Sequence, residues 1–265
     1  MSKQEYDTRG YTKFANFFDK DFISQVNEKI DDITKNIIDN NIISPNIFFE
    51  NDTKKIKQIQ YLTNYDDIFV KIKNKLEPYA KYLTGFDSFN MLNMQLFEKH
   101  PEISKPTRSH QDNAYFKISP PLALTFWISL DHIDEKNGAL YFAPFTHLTP
   151  TRKHTRYNQH TTFRVRSGVP GLSLCLNEHP EETDEIMITE PGDVLVHNCN
   201  TIHRAGKNDS IFRRRAIGCV FIPTLCIPDT RLVNYFNSQL EEDIEIQKIK
   251  NPTLYKNLIE NITKL

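Results

Sequence analysis

Cysteine, glycine and tryptophan are scarce in this sequence of 265 residues, which contains 4 Cys, 8 Gly and 1 Trp. The cysteines show no C-x-x-C spacing, so we expect four reduced thiols in a cytoplasmic protein rather than the disulfide framework of a small secreted one. Glycine makes up about 3% of the chain against a usual ~7%. Because no flexible linker, internal repeat or low-complexity tract interrupts the sequence, we expect one domain over residues 1–265.

The sequence also lacks long hydrophobic runs and any marked excess of charge. No stretch approaches the ~20 apolar residues of a membrane span, and the start of the sequence is too polar for a signal peptide. Lys and Arg number 33 against 34 for Asp and Glu. We therefore expect neither a membrane nor a nucleic acid as partner. Hydrophobic residues at 38%, with 18 Phe and 11 Tyr, suffice for a real core.

Acidic residues are absent between Glu135 and Glu178. The same stretch carries the basic residues Lys136, Arg152, Lys153, Arg156, Arg164 and Arg166. One interpretation is a lid that attracts an anionic substrate; the other is a solvated loop whose charges are sorted by chance. We expect this insertion, about 148–180, to be unstructured, and long loops in compact domains are usually functional.

Helical patterns flank a central run of strand patterns. Apolar residues at three- and four-residue steps predict helices at Asp21–Asn40 and Asp66–Leu83, within a helical part of about 1–88. Asn251-Pro252 predicts the start of a helix in a C-terminal part of about 228–265. Between them, about 89–223, the pattern predicts antiparallel strands of a barrel or sandwich. The candidates are Asn90–Glu98, Leu122–Leu130, Ala139–Ala143, Glu185–Thr189, Asp193–His197 and Arg214–Phe221, with Asn137-Gly138 as a hairpin turn between the second and third.

Two H-x-D triplets, His110-Gln111-Asp112 and His132-Ile133-Asp134, are candidate metal-ligand pairs. The second lies in a polar run that leads into a turn, so we expect it to be solvated. The first lies beside apolar strands, which favours the wall of a pocket. His147, His154 and His160 look like surface or loop residues.

A third ligand should lie far downstream, and His203 follows a predicted strand. If residues 208 and 209 form a hairpin tip, His203 lies opposite Arg214, and paired side chains share a face. A register shift of one residue would bring Arg213 or Arg215 inward instead. Two histidines and one carboxylate form the facial triad that binds Fe(II) with open coordination positions. An arginine nearby could hold a second carboxylate bidentately.

Several motifs in fixed order resemble the phytanoyl-CoA dioxygenase family of Fe(II)/2-oxoglutarate oxygenases. They are Lys99, His110-Gln111-Asp112 with Tyr115-Phe116, Leu124-Thr125-Phe126-Trp127-Ile128-Ser129-Leu130-Asp131, Asn137-Gly138-Ala139-Leu140, Pro191-Gly192-Asp193-Val194-Leu195, and His203, Asn208, Ser210 and Arg214. The resemblance implies a mainly β (α+β) fold, a double-stranded β-helix of jelly-roll, cupin-like type with flanking helices. It also implies Fe(II) on His110, Asp112 and His203, with 2-oxoglutarate and O₂ as cosubstrates.

The resemblance also implies that Arg214 anchors 2-oxoglutarate and that Gln95 and Trp127 line its site. Family members often have Ser or Thr where this chain has Ala205, so another hydroxyl, such as that of Thr125, would have to substitute. The intact Asp112 favours oxygenation over halogenation.

The expected reaction is hydroxylation of an unactivated C–H bond in a small anionic or zwitterionic metabolite, such as an amino acid or natural-product precursor. The residues expected to contact this substrate are Arg164, Arg166, Arg152, His147 and Lys99. Acyl-CoA hydroxylation and a non-catalytic ligand-binding barrel remain alternatives. The sequence leaves the oligomeric state open.

Overall fold

A computed structural model of the chain describes residues 3–50, 53–157, 171–175 and 178–238. The helices are α1 (Lys3–Arg9), α2 (Lys20–Asp39), α3 (Asp67–Thr84) and α4 (Asn113–Phe116), and residues 230–238 are also helical. The strands are β1 (Tyr11–Phe14), β2 (Ile47–Phe49), β3 (Ile56–Ile59), β4 (Phe89–Lys99), β5 (Thr107–His110), β6 (Ile118–Ser119), β7 (Leu124–Ser129), β8 (Leu140–Phe142), β9 (His154–Tyr157), β10 (Gly171–Leu174), β11 (Glu185–Met187), β12 (Val194–Asn198), β13 (His203–Ala205), β14 (Arg214–Pro223) and β15 (Ile227–Pro228).

Two antiparallel sheets form the centre of the fold. The large sheet has seven strands in the order β1-β12-β7-β14-β4-β3-β2, and the small sheet has four in the order β11-β8-β13-β5. From β4 onward the chain passes repeatedly between the two sheets, with β4, β7, β12 and β14 in the large sheet and β5, β8, β11 and β13 in the small one, as in a double-stranded β-helix. The predicted mainly β, jelly-roll fold with flanking helices is therefore confirmed.

The outer face of the large sheet is covered by α2 and α3. Asp19 caps α2 by accepting a hydrogen bond from the backbone N–H of Phe22 at 2.8 Å. Five apolar side chains of α2 are buried, among them Val26 and Ile30. Each such side chain contributes roughly 1.5–3 kcal/mol through burial. Both helices start and end within one residue of the predicted bounds.

Alternation along the central strands separates the helix-packed face from the interior between the sheets. On β7, Leu124, Phe126 and Ile128 pack with the helices, whereas Trp127 belongs to the interior cluster. On β14, Ile217 contacts the helix side, whereas Ala216 faces the interior. Because side chains alternate with period 2, the parity of each residue decides whether it reaches the site.

The predicted Asn137-Gly138 hairpin is wrong. β7 pairs with β12 and β14 in the large sheet, whereas β8 pairs with β11 and β13 in the small one. The intervening chain crosses between sheets, and the Asn137 side chain binds it back to the backbone of Asp134 and His132. An Asn-Gly pair is a local turn signal, and the partner of a strand is a long-range property.

The N-terminal third is less helical than predicted because it also supplies three short strands. β1 pairs with β12 at one end of the large sheet, and β3 pairs with β4 near the other. Each has only three or four residues, so it owes its conformation to its partner rather than to its own sequence.

The insertion is not unstructured throughout. Its two arms form the antiparallel pair β9–β10, with Leu174 opposite His154. Residues 158–170, which join the arms, lie outside the described residues, as does the helix expected from Pro252. None of the described helices is both long and apolar enough to span a bilayer.

Candidate metal and cosubstrate site

Three side chains in the interior could hold one metal ion. His110 ends β5 and lies opposite His203 of β13, while Asp112 immediately precedes α4. The Nε2 atoms of both histidines lie 3.6 Å from Asp112 Oδ1. The candidate ligand atoms of the three residues all lie within 4.8 Å of one another. This is the geometry of a two-histidine, one-carboxylate facial triad.

Backbone carbonyls orient both imidazoles. His110 Nδ1 lies 2.8 Å from the carbonyl oxygen of Arg108, and His203 Nδ1 lies 3.0 Å from that of Thr201. Since a carbonyl oxygen only accepts, each Nδ1 must carry the hydrogen. Each neutral ring therefore presents the lone pair of Nε2 toward Asp112, as a metal ligand must.

Burial and mutual contact set the charges of the triad. Burial, with the neighbouring His110 and His197, holds the pKa of His203 well below its usual value. Burial pushes the pKa of Asp112 upward, but the neighbouring His203, His110 and His197 outweigh it and hold that pKa well below normal. A carboxylate with neutral imidazoles suits a divalent cation.

The second oxygen of Asp112 is held from the large sheet. Thr125 Oγ1 donates to Asp112 Oδ2 at 2.9 Å, and His197 Nε2 lies 3.1 Å from the same oxygen. Thr125 thus uses its one hydroxyl hydrogen on Asp112. Its expected contact with the cosubstrate stays a prediction. His197 was not among the residues predicted for the site, because its only signal in the sequence is an inward parity at the end of a predicted strand.

Arg214 is fully buried in the interior between the two sheets. Its Nη2 donates to the carbonyl oxygen of Gly138 at 3.1 Å, and its guanidinium carbon lies 5.3 Å from the centre of the Trp127 ring. Its Nε and Nη1 have no hydrogen-bond partner among the described residues. Burial lowers the pKa of Arg214 to about 10, so it stays charged at neutral pH. Two nitrogens without a hydrogen-bond partner on a buried cation leave donors for the carboxylate of a ligand such as 2-oxoglutarate.

Lys99 adds a second cation beside Arg214. The two residues are register partners on β4 and β14. Lys99 is buried, and its Nζ donates to the carbonyl oxygen of Lys105 at 2.6 Å. Burial and then the charge of Arg214 hold its pKa well below normal.

The expected hairpin between His203 and Arg214 does not form. β13 lies in the small sheet and β14 in the large one, so the two residues approach from facing sheets. Parity resolves the choice among the three arginines: Arg213 binds Asp31 and Arg215 binds Asp131, both outside the interior. Only Arg214 faces inward.

The other residues predicted for the site lie at different places. Gln95 lies on β4 near the interior and accepts from Gln58 Nε2 at 2.5 Å. His147 instead contacts the N-terminal helix, with Nε2 3.1 Å from the carbonyl oxygen of Asp7. Arg152 donates to the backbone oxygen of Glu178, joining the two arms of the insertion. Arg164 and Arg166 lie outside the described residues.

His154, predicted to be a surface or loop residue, is completely buried at the start of β9, against residues 110–112 (the metal-site turn), which carry two of the candidate ligands. Its Nδ1 lies 2.8 Å from the carbonyl oxygen of Arg152, so Nδ1 carries the hydrogen and Nε2 is the acceptor nitrogen. That Nε2 accepts from the backbone N–H of Gln111 at 2.9 Å. His132, by contrast, is exposed as predicted and pairs with Glu190.

Comparisons with known proteins find a matching family model, related sequences and solved structures of similar fold. The family model for phytanoyl-CoA dioxygenase matches residues 6–216. A peroxisomal phytanoyl-CoA dioxygenase of Bos taurus is 30% identical over 153 residues, which cover 55% of this chain and 44% of that protein. A protein of Stutzerimonas stutzeri named probable alpha-ketoglutarate-dependent hypophosphite dioxygenase is 25% identical over 225 residues, covering 80% and 74% of the two chains.

Among solved structures, the epimerase SnoN in complex with Fe³⁺, alpha ketoglutarate and nogalamycin RO matches with a TM-score of 0.65 and 17% identity. That match covers 84% of this chain and 83% of SnoN, and it supports the fold. The fold and the triad define a jelly-roll protein with a facial-triad metal site. More specifically, the chain belongs to the phytanoyl-CoA dioxygenase family.

Proposed function

We propose that this protein is an Fe(II)- and 2-oxoglutarate-dependent dioxygenase that hydroxylates an unactivated C–H bond of a small anionic or zwitterionic metabolite, with release of succinate and CO₂. The observation that carries the proposal is the combination, in one buried interior, of the His110–Asp112–His203 triad with the inward Arg214. A ligand-binding barrel without catalysis has no need for both features, which makes that alternative poorer.

The residues of the chain have separable roles in this reaction. His110, Asp112 and His203 would hold the iron, which supplies the O₂ chemistry when it is bound. Arg214 would bind the far carboxylate of 2-oxoglutarate through guanidinium N–H groups that the protein leaves without a partner among the described residues. Trp127, which stacks on Phe97 at 5.2 Å between ring centres, supports the guanidinium and helps to keep water from the interior.

The substrate class is proposed from charge. The acid-free stretch after Glu135 contains six basic residues, and the insertion arms dock against the turn that carries the candidate ligands. The relative from Stutzerimonas stutzeri is named for hypophosphite, a small anion. An acyl-CoA substrate is the second candidate, because the bovine relative is named for one.

Anaerobic titration with Fe(II) and 2-oxoglutarate tests the reaction class. We expect the weak visible charge-transfer band of the iron chelate in the wild type, its loss in His203→Ala and its weakening in Arg214→Ala. A folded wild-type protein without the band would contradict the proposal and favour the non-catalytic barrel.

Substrate screening by succinate release then separates the two substrate classes. We expect release to be stimulated by small carboxylates, phosphonates or amino acids, and not by acyl-CoA thioesters. Charge reversal of Arg164 and Arg166 should raise the apparent KM of the stimulating anion. An unchanged KM would argue against the basic lid.

A further inference from the structure

Asp112 is bound differently at its two carboxylate oxygens. Oδ1 faces both candidate histidine ligands at 3.6 Å, whereas Oδ2 accepts a hydrogen bond from Thr125 and lies 3.1 Å from His197 Nε2. One oxygen is therefore directed toward the metal position, and the other is occupied by the protein.

The two residues that hold Oδ2 are built into the large sheet as a pair. His197 of β12 lies directly opposite Thr125 of β7 in the strand register, and both side chains face the interior. His197 is 2% exposed and Thr125 is 6% exposed. Because Asp112 follows a strand of the small sheet, this pair connects the candidate metal ligand to the facing sheet.

The hydrogen-bonding capacity of His197 defines its role. An ionised carboxylate only accepts, so His197 Nε2 must carry the hydrogen in its contact with Asp112. Its Nδ1 has no hydrogen-bond partner among the described residues. The ring is packed 4.4 Å from His203 and 5.1 Å from Phe142, measured between ring centres. His197 thus has the hydrogen on the opposite nitrogen from His110 and His203, so that Nε2 is a donor to the ligand rather than itself a ligand.

We infer that His197 and Thr125 are positioning residues that commit Oδ2 and so make Asp112 a ligand through Oδ1 alone. A carboxylate can bind a cation through one oxygen or two, and a facial triad requires open positions for its cosubstrate and O₂. Two hydrogen bonds to Oδ2 stabilise the one-oxygen mode and keep a position open. This inference rests on the proposed function.

Titration of the metal-free protein with Co(II), followed by its visible d–d absorption, tests the inference without turnover. The variants are His197→Leu and Thr125→Val, which remove the donors, and His197→Gln, whose amide N–H can replace Nε2–H. We expect Co(II) affinity to fall roughly 10- to 100-fold in the first two, as for other groups that orient metal ligands. We also expect the d–d intensity to fall as the coordination number rises, with both values restored toward wild type in His197→Gln.

His100→Leu is the matched control, because His100 also hydrogen-bonds through Nε2, at 2.7 Å to the carbonyl oxygen of Ile56, but away from the triad. It should bind Co(II) as the wild type does. Wild-type affinity and spectrum in both donor-removing variants would overturn the inference while leaving the proposed function intact. Failure of the wild type to bind Co(II) would instead refute the proposed function. If His197→Leu does not fold, Thr125→Val, which changes side-chain volume little, decides the question.

Discussion

At the scale of single residues, strand parity determines the chemistry of three consecutive arginines. Arg213 and Arg215 form ion pairs outside the interior, while the residue between them is 1% exposed inside it. Two nitrogens of a buried guanidinium without hydrogen-bond partners cost free energy, which a ligand or water would offset. Under the proposed function, the affinity for 2-oxoglutarate should therefore depend strongly on Arg214.

We therefore predict that Arg214→Gln weakens 2-oxoglutarate binding, whereas Arg213→Gln does not. Removal of one partner of a buried charged pair costs about 2–4 kcal/mol, which corresponds to a roughly 30- to 1,000-fold higher Kd. The Kd is measured by anaerobic titration of the Fe(II) protein with 2-oxoglutarate. Equal effects of the two substitutions would refute the assignment.

The site could be predicted in part because its strongest signals are local. The H-x-D triplet and the downstream His203 are visible in the sequence, and the structure brings them together. The contact between His197 and Asp112 joins residues 85 positions apart. Such a contact depends on how two sheets face each other, which no periodicity in one strand encodes.

At the scale of elements, β9 connects the insertion to the metal-site turn through one buried histidine. His154 accepts the backbone N–H of Gln111, and Tyr235 from the helical residues 230–238 donates to the carbonyl oxygen of His154 at 3.0 Å. Burial lowers the pKa of His154 from 6.5 to about 4. Protonation would remove the acceptor that Gln111 requires.

We predict that the hydrogen bond between His154 and the backbone of Gln111 is lost in acid. Between about pH 6.5 and 4 the unfolded chain binds a proton at His154 that the folded protein does not, so the free energy of unfolding decreases as pH falls. The total decrease in the free energy of unfolding that His154 causes over this range is ~3 kcal/mol. Urea unfolding across this range should show the stability advantage of wild type over His154→Gln shrinking by that amount. The control His132→Gln, at an exposed position, should show no such decline, and parallel curves for wild type and His154→Gln would contradict the prediction.

The elements themselves were predictable to different degrees. α2 and α3 follow from a local apolar stripe with an Asp cap at each start. The long strands β4 and β14 were also anticipated, because alternation along β4 and the apolar run of β14 are visible directly in the sequence. The short strands β1 and β3 were missed, since they form only where β12 and β4 offer a free edge.

At the scale of the whole molecule, the formal net charge of −1 conceals a cationic interior. Lys99 and Arg214 are buried side by side on adjacent strands, and neither forms an ion pair with a carboxylate in the part of the chain that the structure describes. Burial and the charge of Arg214 hold the pKa of Lys99 well below normal, so a charged Lys99 ammonium carries an electrostatic cost in the ligand-free fold. A dianion such as 2-oxoglutarate would offset it.

We predict opposite effects of Lys99→Met on the two states of the protein. Without ligand, removal of an unpaired buried charge should raise the free energy of unfolding by about 1–3 kcal/mol. With the metal and 2-oxoglutarate at 100 times Kd, the wild type gains about 2.7 kcal/mol through binding, and the variant should gain less at the same concentrations because its affinity is lower. Urea unfolding with and without ligands measures both, with exposed Lys20→Met as the control. A variant that is destabilised without ligand would contradict the prediction. It would show that Lys99 stabilises the fold through its hydrogen bond to the carbonyl oxygen of Lys105.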